Sequence, residues 1–112
     1  DHTGIFKKKI ALYGAGGFGM ALYGRYKESI VCVADSNYEK YKSSTAVHVI
    51  SIEQLADMQN EFDIVFIAVL NTDICKKIEE QLISKGVKKK IVYFRRNYAA
   101  GLYERLIGAQ EI

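Results

Sequence analysis

Gly14-Ala15-Gly16-Gly17-Phe18-Gly19 is the segment of this sequence with the clearest chemical potential. Glycines at its first, third and sixth positions give the spacing G-x-G-x-x-G. That spacing is informative when it joins a strand to a helix. The glycines then have separable roles: Gly14 permits a tight turn, Gly16 lets a phosphate approach the backbone, and Gly19 lets the helix pack closely on the strand. The start of the helix offers backbone N–H groups and a partial positive charge, both suited to a phosphate. The competing reading is that the glycines serve only the turn and hold no ligand. We take binding as the expectation.

Three residues further along could complete such a site. Asp35 ends an apolar run roughly twenty residues beyond the turn, where an acidic side chain would accept hydrogen bonds from ribose hydroxyls. A carboxylate there would repel a 2′-phosphate, so NAD or another unphosphorylated ribose is favoured over NADP. Read alone, Asp35 is equally a turn-forming residue within Asp35-Ser36-Asn37. Asn71 follows another apolar run and would line the same crevice with Val69, Leu70 and Thr72, or else cap the next helix. The candidate binding set is therefore Gly14, Ala15, Gly16, Gly17, Phe18, Gly19, Asp35, Ser36 and Asn71.

Other constellations do not hold together. Tyr23-x-x-x-Lys27 and Tyr38-x-x-x-Lys42 match the Tyr/Lys spacing of short-chain dehydrogenases, but one falls on the first helix and the other on a polar loop. His48 has no Cys or carboxylate at ligand spacing, so no metal is expected. Ser43-Ser44 lies in no nucleophile elbow, Cys75 has no neighbouring base in sequence, and no acid/base pair stands out. No catalytic set is expected within these residues, and whether the chain belongs to an enzyme stays open.

The elements that must position the glycine turn follow from periodicity. Lys8–Tyr13, Ile30–Ala34, Val47–Ile50, Asp63–Val69 and Ile91–Phe94 read as strands, most of them short apolar runs suited to burial on both faces. Phe18, Ala21, Leu22 and Tyr26 recur at helical spacing across residues 17–27. Ser51 and Gln54 form a capping box for a helix of about eight residues. Asn71-Thr72-Asp73 opens a helix carrying Ile74, Ile78, Leu82 and Ile83, and Gly86 ends it. A last helix is expected over Ala99–Ile107, and Tyr38–Thr45 reads as a polar loop. Strands alternating with helices predict an α/β fold: a doubly wound, Rossmann-like parallel sheet of five strands in the order 3-2-1-4-5, with helices on both faces.

Composition sets outer bounds. The 112 residues suit one domain, residues 1–112, with no internal linker or repeat. A net charge of +3 is too small to argue for nucleic acid. Its excess is local, in Lys88-Lys89-Lys90 and Arg95-Arg96, read as a solvated turn and as a pair on the ligand side. Two cysteines, Cys32 and Cys75, are read as free thiols in a reducing, cytoplasmic compartment. No apolar run reaches the ~20 residues of a membrane span, and Asp1-His2-Thr3-Gly4 lacks a signal pattern. The chain is expected to be a piece of a longer polypeptide, with further domains as its partners, unless its first residues are foreign to it.

Several pieces recur together: Ile10–Gly19, Val33-Ala34-Asp35-Ser36-Asn37, Val49–Leu55 and Asp63–Val69. With them the sequence resembles the small Rossmann-like domain at the front of bacterial capsular-polysaccharide nucleotide-sugar epimerases/dehydratases. It is similar, too, to the N-terminal domain of sugar O- and N-acyltransferases with left-handed β-helices. In the acyltransferases that domain binds a nucleotide-sugar; in the epimerase-like proteins it precedes a separate catalytic domain. The resemblance implies a ligand of NAD or nucleotide-sugar type facing Gly14, Gly16, Gly17, Phe18, Asp35 and Asn71. Hexapeptide repeats and a second Rossmann unit are missing from these residues, so neither parent activity resides in them alone. Three readings remain: a nucleotide or nucleotide-sugar binding module, the NAD-binding part of a sugar dehydrogenase or epimerase, and an NAD(H)-sensing or structural domain.

Overall fold

Ile10–Tyr13, the apolar run ahead of the glycines, is the central strand of a five-stranded sheet. A computed structural model of the chain describes residues 7–41 and 47–93. Along these residues run β1 (Ile10–Tyr13), α1 (Gly17–Tyr26), β2 (Ile30–Ala34), β3 (Val49–Ile50), α2 (Ile52–Asp57), a single 3₁₀ turn at Gln59–Glu61, β4 (Ile64–Ile67), α3 (Thr72–Ser84) and β5 (Lys90–Tyr93). The expected helix over 99–107 and the Arg95-Arg96 pair lie outside the described residues.

All four strand pairings are parallel, and the order is β3-β2-β1-β4-β5, as the alternation of elements predicts. Successive strand residues point to opposite faces, and each face has its own apolar cluster. Ile10, Leu12, Val33, Val49, Phe66 and Ala68 meet Leu22 of α1 on one face. On the other, Ala11, Tyr13, Ala34, Ile50, Val65 and Ile67 meet Leu55 of α2 and Cys75, Ile78 and Leu82 of α3. Helices therefore cover both faces, and β1 and β4 are buried along their whole length. No helix among the described residues is long and apolar enough to cross a membrane.

Several elements differ in detail from their periodicity. β3 is only two residues long and pairs with Val33 and Ala34 alone. The β1–β2 register slips so that Ala11 opposes Cys32, which leaves Val31 bulged and 38% exposed. α2 stops after six residues, and the chain tightens into the 3₁₀ turn instead of completing the expected eight. The buried stripe of α3 runs through Cys75, Ile78 and Leu82, whereas Ile74 and Ile83 are exposed. A small thiol occupies the first position of that stripe, a place the sequence reading gives to Ile74. On α1, Gly19 and Leu22 are buried, with Phe18, Tyr23 and Tyr26 packed alongside, so the core-facing stripe excludes the exposed Ala21.

At the amino-terminal edge of the sheet, Gln59 joins two crossovers. Its Nε2 donates to the carbonyls of Ala56 (3.1 Å) and Gly86 (3.0 Å), and its Oε1 accepts from the Lys88 N–H at 2.8 Å. One side chain thus satisfies backbone groups both in α2 and in the α3–β5 connection. Gly86 itself takes φ +93°, a left-handed conformation suited to the residue after a helix.

Candidate functional site

The glycine turn leaves the carboxyl-terminal end of β1, where the sheet order reverses between β2 and β4. In open α/β sheets that point forms a crevice for ligands. Gly14 turns there with φ +119°, and its N–H donates to the Ala34 carbonyl at 2.8 Å. A Cβ at Gly14 would also sit 3.0 Å from the Ala68 carbonyl oxygen. Gly19 is constrained differently: a Cβ there would collide with the Gly14 carbonyl oxygen, so α1 lies hard against the end of β1. The fold itself requires these two glycines.

Gly16 and Gly17 are another matter. Gly16 is the N-cap of α1 with φ −76° and ψ −169°, an extended conformation open to any residue, and it provides no side-chain cap. A Cβ added at either position would meet nothing within 4 Å. Both residues are exposed, whereas Ala15 beneath them is buried. Intramolecular packing therefore explains Gly14 and Gly19 and leaves Gly16 and Gly17 unexplained.

Asp35 reaches across to this turn. Its Oδ2 accepts from the Ala15 N–H at 2.8 Å, and its Oδ1 accepts from the Asn37 N–H at 2.8 Å. The carboxylate thus forms the turn after β2 and also ties that turn to the glycine segment. Each oxygen retains a further lone pair with which a ribose hydroxyl could be held. Ser36 is exposed and hydrogen-bonds the Tyr13 phenol. Burial raises the Tyr13 pKa; the Ser36 hydrogen bond opposes the rise, and the neighbouring Asp35 adds to it.

Asn71 is the N-cap of α3, its Oδ1 accepting from the Ile74 N–H at 3.1 Å. Of its two expected roles the capping one is seen. Ala68 lies directly under Gly14, so the β4–α3 connection borders the crevice on the side away from Asp35. The structure joins Ala15 to Asp35 by hydrogen bond and Gly14 to Gly19 by contact. Asn71 serves its own helix.

Tyr13 escaped the sequence reading. It ends β1 with a buried ring and, with Asp35, Ser36, Ser51, Glu53 and Lys85, borders a cavity of about 270 Å³. A hydroxyl-bearing residue in an otherwise aliphatic strand was the available signal, because a buried phenol needs a partner. Glu53 and Lys85 pair across this cavity at 3.0 Å, and the Lys85 hydrogen bond lowers the Glu53 pKa.

Both thiols are free, and burial holds them in the neutral form. Cys32 is pushed up to about 12 and Cys75 to about 11, with Glu61 and Glu79 adding smaller contributions. The Cys75 thiol donates to the Val69 carbonyl at 3.0 Å. Among the described residues no group of three or more His, Cys, Asp or Glu side chains is placed to hold a metal ion.

Strand order, glycine turn and acidic residue together define a doubly wound, Rossmann-like α/β domain. No protein-family model matches the chain, and no curated protein matches it in sequence.

Proposed function

We propose that this chain is a nucleotide- or nucleotide-sugar-binding module, with the ligand's phosphate seated on the Gly14–Gly19 turn. The observation that carries this reading is the pair Gly16 and Gly17, two adjacent glycines that intramolecular packing does not require. They sit at the start of α1, where backbone N–H groups and the helix dipole favour an anion. Bare backbone at that position is what close approach of a phosphate needs. Asp35 beside the turn favours a ribose without a 2′-phosphate. The resemblance to domains of polysaccharide-biosynthesis proteins suggests a parent that handles nucleotide-sugars in bacterial surface-glycan synthesis. NAD is the alternative ligand, with any catalysis residing in other domains.

A thermal-shift panel of NAD⁺, NADH, NADP⁺, UDP, UDP-N-acetylglucosamine, coenzyme A and S-adenosylmethionine tests the proposal. A ligand at about 100 times its dissociation constant adds about 2.7 kcal/mol, which for a domain of this size is a shift on the order of 10 °C. Gly16→Val should abolish that shift while the domain stays folded, because a Cβ there meets nothing within 4 Å. Stabilisation by UDP-sugars supports the nucleotide-sugar reading, and stabilisation by NAD(H) alone supports the redox alternative. If no member of the panel at millimolar concentration shifts the transition, the proposal fails.

A further inference from the structure

We infer that Asp35 is a positioning residue for the phosphate turn, acting through the Ala15 N–H irrespective of whether the ligand carries a ribose. The inference rests on the phosphate reading of Gly14–Gly19 given above. Its basis is the bracket formed by the two carboxylate oxygens: Oδ2 on the Ala15 N–H and Oδ1 on the Asn37 N–H, both at 2.8 Å. Ala15 is buried and lies between Gly14, which the fold fixes, and Gly16, which it leaves open. A charge-assisted hydrogen bond to Ala15 therefore sets where the backbone of Gly16 and Gly17 begins. The ordinary role of an acid at this point is direct contact with ribose hydroxyls. Here the carboxylate has a prior task, holding the β1–α1 turn and the turn after β2 in one arrangement.

Asp35→Asn separates the two roles, because an amide matches the carboxylate in shape but has a single acceptor oxygen. Where that oxygen keeps the Asn37 N–H, the amide NH₂ confronts the Ala15 N–H, donor against donor. Two readouts follow. First, isothermal titration with inorganic pyrophosphate and with UDP should show D35N weakening both by a similar factor, roughly tenfold or more. Loss of UDP binding with pyrophosphate affinity intact would overturn the inference and leave Asp35 as a ribose ligand. Second, amide hydrogen exchange followed by NMR should show the Ala15 N–H exchanging at least tenfold faster in D35N, with the amides of β1 and β4 unchanged. Unaltered Ala15 exchange in both D35N and D35S would also overturn the inference. The exchange measurement needs no ligand, so it decides whether Asp35 holds the turn even if the wild-type protein binds neither titrant, an outcome that would sink the phosphate reading and with it the ligand role inferred for Asp35. Should D35N not fold, D35S alone serves: serine retains a turn-forming hydroxyl, and the same two results are expected.

Discussion

Gly19→Ala and Gly24→Ala place one methyl group on the same helix five positions apart, and the structure gives them opposite signs. In a helix interior, replacing glycine with alanine contributes about 0.5–1 kcal/mol through reduced backbone entropy of the unfolded chain. Gly24 is exposed, and a Cβ there meets nothing within 4 Å, so the whole gain should appear. A gain of about 1 kcal/mol raises the melting temperature of a domain near this size by about 4 °C. At Gly19 the same entropic gain is opposed by overlap with the Gly14 carbonyl oxygen, which is backbone held by the Gly14 N–H on Ala34 and the Ala15 N–H on Asp35 and cannot swing aside. Relief requires α1 to lift from the sheet and uncover Leu22, which is wholly buried. Overpacking of this kind costs about 1–3 kcal/mol or more, leaving Gly19→Ala about 1–2 kcal/mol less stable than wild type. Thermal and urea unfolding followed by circular dichroism would measure both variants. Equal stabilisation by the two substitutions would refute the close approach of α1 to β1, and with it the role assigned to the last glycine of the turn.

Gln59→Ala removes a side chain that holds three backbone groups, and we expect a loss of about 1–2 kcal/mol in urea unfolding; an unchanged midpoint would show that water replaces it fully. Ser51→Ala removes half of the capping box with Gln54, whose Oε1 accepts from the Ser51 N–H at 3.0 Å and whose N–H donates to Ser51 Oγ at 3.1 Å, and should cost about 1 kcal/mol by the same assay. Both cysteines ionise less readily when folded than unfolded, so their contribution to stability is complete below the ordinary thiol range near pH 9 and declines as pH rises towards about 11 for Cys75 and about 12 for Cys32. Unfolding midpoints measured from pH 8 to 11 should therefore fall less steeply for Cys32→Ala and Cys75→Ala than for wild type. A slope that neither substitution changes would contradict burial of the thiols.

The fold was legible because its signals were local and repeated: apolar runs for β1, β2 and β4, turn residues after each, and a capping box at Ser51. Right-handed crossovers favour the order 3-2-1-4-5 for that alternation, and it is the order observed. The roles of Gly14 and Gly19 could be read from spacing alone, since a tight turn and a close helix each demand a missing Cβ. Asn71 was ambiguous because the same amide suits a cap and a ligand; geometry shows the cap. Two features were not legible. Asp35 reaching the Ala15 N–H depends on how β2 sits beside β1, and the three bonds of Gln59 depend on α2 ending early. Both are contacts between segments distant in sequence, made by polar residues that carry no periodicity. The stripe on α3 was misassigned by one residue because Ile74 outweighs Cys75 in hydropathy, whereas it is Cys75 that meets the core.

The Gln59 bracket has a consequence for how this domain can be altered. It lies where β4 and β5 begin, at the opposite pole of the sheet from the glycine turn, with four residues of strand between, about 13 Å. At such a distance, with no shared partners, changes at the two poles should combine additively. The amino-terminal pole is thus a tuning point for robustness, separate from the glycine turn at the carboxyl-terminal pole. A variant library confined to residues 57–61 and 86–89, sparing Lys85 beside the Asp35 cavity, can shift the melting temperature up or down and leave the glycine turn as a constant background.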